Sequence, residues 1–138
     1  MSHDPPETPL ATVDVIIEIA GAVVLVRRRN PPPGWALPGG FVDRGESVAQ
    51  AARREAKEET RLEVELRELL GVYSDPKRDP RGHTCSVAFL ARVARSTPKA
   101  GDDAAAAEWV KSWSKLDLAF DHAEIVRDAR RMLRSKGF

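Results

Sequence analysis

Only one of the 138 residues is cysteine, Cys85, so no internal disulfide can form. A lone thiol suits a reducing compartment. Cys85 lies in an apolar, strand-like run, where a small buried hydrophobe is expected. Charge of one sign is also missing: 22 basic against 21 acidic residues leave a net +1. Proteins that hold nucleic acid by bulk charge are clearly basic, so that class is disfavoured. Long hydrophobic runs are absent too. Residues 19–26 form the longest, far below the ~20 residues that span a bilayer. The N-terminus lacks the basic start and apolar stretch of a signal peptide. The expectation is a cytoplasmic protein with neither a nucleic-acid nor a membrane partner.

The chain is 42% hydrophobic and 31% charged, an ordinary globular composition. Its length suits one domain with a core of its own. Residues 1–11, polar and rich in proline, are expected as a flexible tail, and residues 12–138 as a single domain. Residues 12–20 (TVDVIIEIA) and 22–28 (AVVLVRR) are β-branched and predict two strands. Three prolines and Gly34 then break regular structure, and residues 35–44 (WALPGGFVDR) are expected as a loop. Ser47, with Gln50 three residues on, has the spacing of a helix capping box. The helix it opens is expected to end near Thr60 or Arg61. Strands are expected over 62–73, 84–93 and 108–113, a turn over 74–82 and a loop over 98–105. Trp109 and Trp113 would then share one strand face. Residues 120–135 space Ile125, Val126, Ala129, Met132 and Leu133 as a helix does. Strands and helices in this order predict an α/β fold of α+β type with a mixed sheet.

The informative segment is Arg54-Glu55-Ala56-Lys57-Glu58-Glu59. On a helix, Glu55, Glu58 and Glu59 stand at i, i+3 and i+4 and share a face, with Cβ atoms about 5–6 Å apart. Three carboxylates this close repel one another, which raises proton affinity. A hard divalent cation relieves the conflict, since Mg²⁺ and Mn²⁺ favour oxygen ligands. The bland alternative is a solvated face paired with Arg53, Arg54 and Lys57.

The residues upstream decide between the two. Gly40, five residues, Glu46, seven residues and then Arg54-Glu55-Ala56-Lys57-Glu58-Glu59 resembles the Nudix box, G-x5-E-x7-R-E-U-x-E-E-x-G-U, where U is bulky and aliphatic. Six fixed positions match. At roughly 1 in 15 each, a chance match at a given start is on the order of 1 in 10⁷. Ala56 is smaller than the usual aliphatic residue, and Arg61 replaces the box glycine. That glycine suits a left-handed position just past a helix end, so arginine there should cost on the order of 1 kcal/mol. Residues 35–40, 75–83, 101–104 and 120–123 resemble, more softly, small ADP-ribose pyrophosphatase-like members.

The resemblance implies an α/β/α sandwich around a central mixed sheet. It implies Mg²⁺ or Mn²⁺ held by Glu55, Glu58 and Glu59, with the Gly40 carbonyl as a further ligand, and Glu46 and Arg54 as a pair joining loop to helix. The reaction would be attack of an activated water on a nucleoside diphosphate linked to another group, most simply ADP-ribose. The general base is left open between Glu59 or Glu55 and a later acid, Asp102, Asp103 or Glu108. Arg28, Arg78, Arg81 and His83 are candidates for phosphate or ribose, and Tyr73 or Phe41 for stacking on a base. His122 is read as a capping or packing residue. Oxidised nucleoside triphosphates, dinucleoside polyphosphates and NADH are alternative substrates. A non-catalytic nucleotide sensor would need an added DNA-binding domain, for which no room is expected after Phe138. A homodimer is left open.

Overall fold

A computed structural model describes residues 5–93, 98–101 and 104–136. The first strand, β1 (Leu10–Ile19), alternates its side chains between two cores, as a strand must. Val13, Val15 and Ile17 enter one cluster, and Ile16 enters the other. Asp14 shares the parity of Ile16 and is buried with it. A two-residue turn with positive φ at Ala20 and Gly21 leads into β2 (Ala22–Arg28), pairing Glu18 with Val23. Strand β1 begins at Leu10, inside the segment expected as tail.

Residues 35–44, expected as a loop, contain parts of two three-residue strands. They are β3 (Gly34–Ala36), paired with β2, and β4 (Gly39–Phe41), paired with β1 at Thr12, Val13 and Asp14. Long-range pairing overrides the local preference of glycine and proline for turns. Helix α1 (Val48–Thr60) opens on the capping box: Ser47 Oγ accepts from Gln50 N–H at 3.1 Å, and Gln50 Oε1 accepts from Ser47 N–H at 2.8 Å. It buries Ala51, Ala52, Ala56 and Thr60 against β1, a face of small residues that lets the helix lie close to the sheet. Arg61 caps it in the left-handed conformation, φ 63°, as its place in the box implies.

Strands β5 (Glu65–Tyr73) and β6 (Thr84–Arg92) are antiparallel, whereas β6 runs parallel to β1. Strand β7 (Ala104–Val110) pairs with β2 and starts before the strand expected over 108–113. Trp113 sits in a 3-10 turn, Trp113–Lys115, so the shared strand face fails: Trp109 packs toward α1 and Trp113 toward the opposite core. Helix α2 (His122–Ser135) covers that second core with Ile125, Val126 and Ala129. The sheet order is β3-β2-β1-β6-β5, with β4 on β1 and β7 on β2. The mixed sheet between α1 and α2 is the expected sandwich. Cys85 is half-buried, less enclosed than expected.

Candidate active site

Strand β4 and helix α1 meet at one end of β1, where a cleft of about 420 Å³ opens. The twin glycines make the contact. A Cβ on Gly39 would lie 2.1 Å from the Val13 carbonyl oxygen, and one on Gly40 would lie 2.7 Å from the Glu55 carboxylate. Backbone and carboxylate approach this closely only because both positions lack a side chain.

Arg54 organises the acids. Its Nε and Nη2 donate to the two oxygens of Glu46 at 2.7 and 2.8 Å, a bidentate pair. Nη2 also donates to the Phe41 carbonyl at 3.0 Å. Nη1 donates to Glu55 at 2.6 Å and Glu58 at 3.2 Å. Hydrogen bonding from Arg54, then from the Asp43 N–H, pulls the Glu46 carboxyl down to about 2. Glu59 turns the other way and accepts from the Gly39 N–H at 3.2 Å. Burial, then the charge of Glu55, pushes the Glu59 carboxyl up to about 8, against the pull of that N–H and of Arg28. Burial also raises Glu55, although Arg54 opposes it.

These donors fit a hard divalent cation. Two half-buried carboxylates with raised proton affinity and a third beside them are unfavourable until something positive joins them. Among the described residues, no three such groups are yet drawn together as a finished cation cage. Arg54 stands between Glu55 and Glu58 instead, and Glu59 is held by β4.

The floor of the cleft is a buried polar network. His122 Nδ1 accepts from the Leu37 N–H at 2.9 Å, so Nε2 carries the proton that faces Asp14 Oδ1 at 3.0 Å. Asp14 Oδ2 accepts from Ser86 Oγ at 2.6 Å and lies 3.4 Å from Arg78 Nη2. Burial would raise the Asp14 carboxyl, yet His122, Ser86 and Arg78 outweigh it and hold it low. Arg78 also grips both oxygens of Asp121, at 2.9 and 2.7 Å, and donates to Thr84 Oγ1 at 2.7 Å. Arg78, expected at the substrate, is thus committed to the floor. Thr12 Oγ1 is buried on the cleft wall without a hydrogen-bond partner among the described residues.

Of the other expected residues, Arg28, Arg81 and Phe41 line the cleft. Tyr73 and His83 do not. The Tyr73 hydroxyl donates to Asp128 at 2.7 Å; burial, then this bond, raises its proton affinity. His83 Nε2 lies 2.8 Å from the Ser74 carbonyl at an exposed turn. Glu108 pairs with Leu25 along β7 and is exposed, outside the cleft. Asp102 and Asp103 lie outside the described residues. Residues 99 and 101 donate backbone N–H groups to Thr60 and Glu59 carbonyls, each at 2.9 Å, and so finish the end of α1. Sequence reasoning missed Asp14 and Phe120 as cleft residues, and Asp121 as the partner of Arg78. An acid amid the β-branched run of β1 was the available signal for Asp14.

The NUDIX domain model matches residues 8–135. An ADP-ribose pyrophosphatase from Methanocaldococcus jannaschii is 48% identical over 125 residues, covering 89% of this chain and 74% of that protein. The ADPR responsive transcriptional repressor NtrR of Acinetobacter baylyi is 33% identical, covering 94% of this chain but only 56% of the repressor. Among solved structures, the NUDIX domain of Shewanella oneidensis NrtR, complexed with ADP ribose, superposes with a TM-score of 0.84 at 28% identity. That match covers 95% of this chain and 94% of the other.

Proposed function

The chain belongs to the Nudix family as a pyrophosphohydrolase, and we propose that its substrate is ADP-ribose, cleaved to AMP and ribose 5-phosphate. The observation that carries this reading is the cleft itself. Clustered carboxylates with raised proton affinity form one wall, and the guanidiniums of Arg28 and Arg81 line it as well. A diphosphate needs both: a cation-binding wall for its charge and direct donors for its oxygens. The likeness to an ADP-ribose pyrophosphatase and to an ADP-ribose-bound domain supports the same substrate.

Glu55, Glu58 and Glu59, with the Gly40 carbonyl, would hold Mg²⁺ or Mn²⁺. Such a cation screens phosphate charge, polarises the P–O bond and lowers the pKa of a bound water. Arg54 orients Glu55 and Glu58 from behind, and Glu46 keeps Arg54 in place. Glu59, fixed to β4 by the Gly39 N–H, is assigned as the base that takes the proton from the attacking water. Arg28 and Arg81 bind phosphate oxygens, and the unpartnered Thr12 hydroxyl faces the same ligand. The Asp14–His122–Arg78 network ties Leu37, two residues before β4, to β1 and α2.

A substrate panel with Mg²⁺ and Mn²⁺ tests the reading. AMP release from ADP-ribose should far exceed turnover of oxidised nucleoside triphosphates, dinucleoside polyphosphates and NADH. Turnover confined to triphosphates would reject ADP-ribose.

A further inference from the structure

Phe120 holds a backbone conformation that disfavours every residue with a bulky side chain: φ is 57°, in the left-handed region. Such strain persists only where the surroundings demand it. Here it allows three consecutive side chains to serve the cleft. The Phe120 ring lines it, Asp121 grips Arg78, and His122 reaches the Leu37 N–H.

The ring has two cations on it. The Arg28 guanidinium carbon lies 5.0 Å from the Phe120 centroid, and that of Arg81 lies 5.1 Å from it. Arg81 is also 5.0 Å from the Phe41 centroid. Each guanidinium is anchored on one side only. Arg28 Nε donates to the Pro32 carbonyl at 2.8 Å, and Arg81 Nε and Nη2 donate to Asp79. Neither Nη1 has a hydrogen-bond partner among the described residues. Arg28, though half-buried, also has no carboxylate at ion-pair distance among them. Two like charges over one ring repel, and an aromatic face relieves only part of that cost. An anion between them would relieve the rest.

We propose that Phe120 is a positioning residue that holds Arg28 and Arg81 as a two-armed grip for the second phosphate of the substrate. This rests on the diphosphate reading above. The first phosphate meets the carboxylate wall, and the second meets the two free guanidinium arms.

The test is steady-state kinetics on ADP-ribose with Phe120→Leu, Phe120→Tyr, Arg28→Gln and the Phe120→Leu/Arg28→Gln double variant. Phe120→Leu keeps apolar bulk but loses the π face, so KM should rise about tenfold with kcat little changed. Phe120→Tyr keeps the ring and should restore most of the affinity. The double variant should lose less than the two single effects combined, because with Arg28 gone Phe120 acts only through Arg81. An unchanged KM in Phe120→Leu overturns the proposal, as does a loss confined to kcat, equal damage from tyrosine, or additive effects in the double variant. Should Phe120→Leu not fold, the pair Arg28→Gln and Arg81→Gln decides: non-additive KM effects support the grip, and additive ones overturn it. A wild-type protein that hydrolyses no nucleoside diphosphate defeats the underlying reading and this proposal with it. A wild-type that does, alongside any of the adverse outcomes, defeats only the role given to Phe120.

Discussion

Removing the negative charge of Glu59 should stabilise the metal-free protein. Glu59→Gln keeps the side-chain shape and an oxygen to accept from the Gly39 N–H. In the folded protein the Glu59 carboxyl rises from an ordinary 4.5 to about 8. At about 1.4 kcal/mol per pKa unit, that displacement sets a ceiling of about 5 kcal/mol. Water entering the open cleft lowers it, and about 2–3 kcal/mol is expected at pH 8. The folded state binds the extra proton between pH 4.5 and 8, so wild-type stability falls as pH rises through that window and levels off above it. Denaturant melts of chelator-treated protein from pH 4 to 9 measure this. The two proteins should match near pH 4 and diverge up to pH 8. Adding Mn²⁺ should reverse the order, because only wild-type keeps the full ligand set. A Glu59→Gln variant no more stable than wild-type at pH 8 without metal would refute the reasoning.

Gly101→Ala should cost at least about 3 kcal/mol in a melt, since its Cβ would fall 1.4 Å from the Glu58 carbonyl oxygen, a backbone atom that cannot step aside. Arg61→Gly should be neutral or stabilising by up to about 1 kcal/mol, because φ is 63° there; a clear fall in Tm would show that the arginine side chain contributes more than its backbone costs. Glu46→Gln should flatten the acid limb of the stability curve. Wild-type, whose Glu46 carboxyl sits near 2, holds this stability in full above the ordinary 4.5 and loses it as pH falls from there toward 2.

Much of the site was legible because its chemistry is local. Ser47 and Gln50 set the start of α1, the spacing of Glu55, Glu58 and Glu59 set its acidic face, and Arg61 marked its end. Each depends on residues within four positions of one another. The residues that escaped depend on distant partners. Arg78 looks like a solvated turn arginine until β6 and α2 bring Thr84 and Asp121 to it. Tyr73 loses its expected role to Asp128, 55 residues away. Strands β3 and β4 read as loop because they are short, hold three glycines between them and are flanked by prolines. Their neighbours in the sheet, not their own propensities, make them strands. Phe120 fell in a segment that resembled the family, but nothing in a sequence shows a left-handed phenylalanine or the two arginines over its ring.

On the proposed reading, the acidic face of α1 holds a divalent cation against β4. Titration of Mn²⁺ followed by electron paramagnetic resonance measures this without turnover. Wild-type should take up the ion and lose the free-ion signal, whereas Glu58→Gln and Glu59→Gln should bind at least about tenfold more weakly with their folds intact. Equal Mn²⁺ affinity in wild-type and both variants would contradict the account.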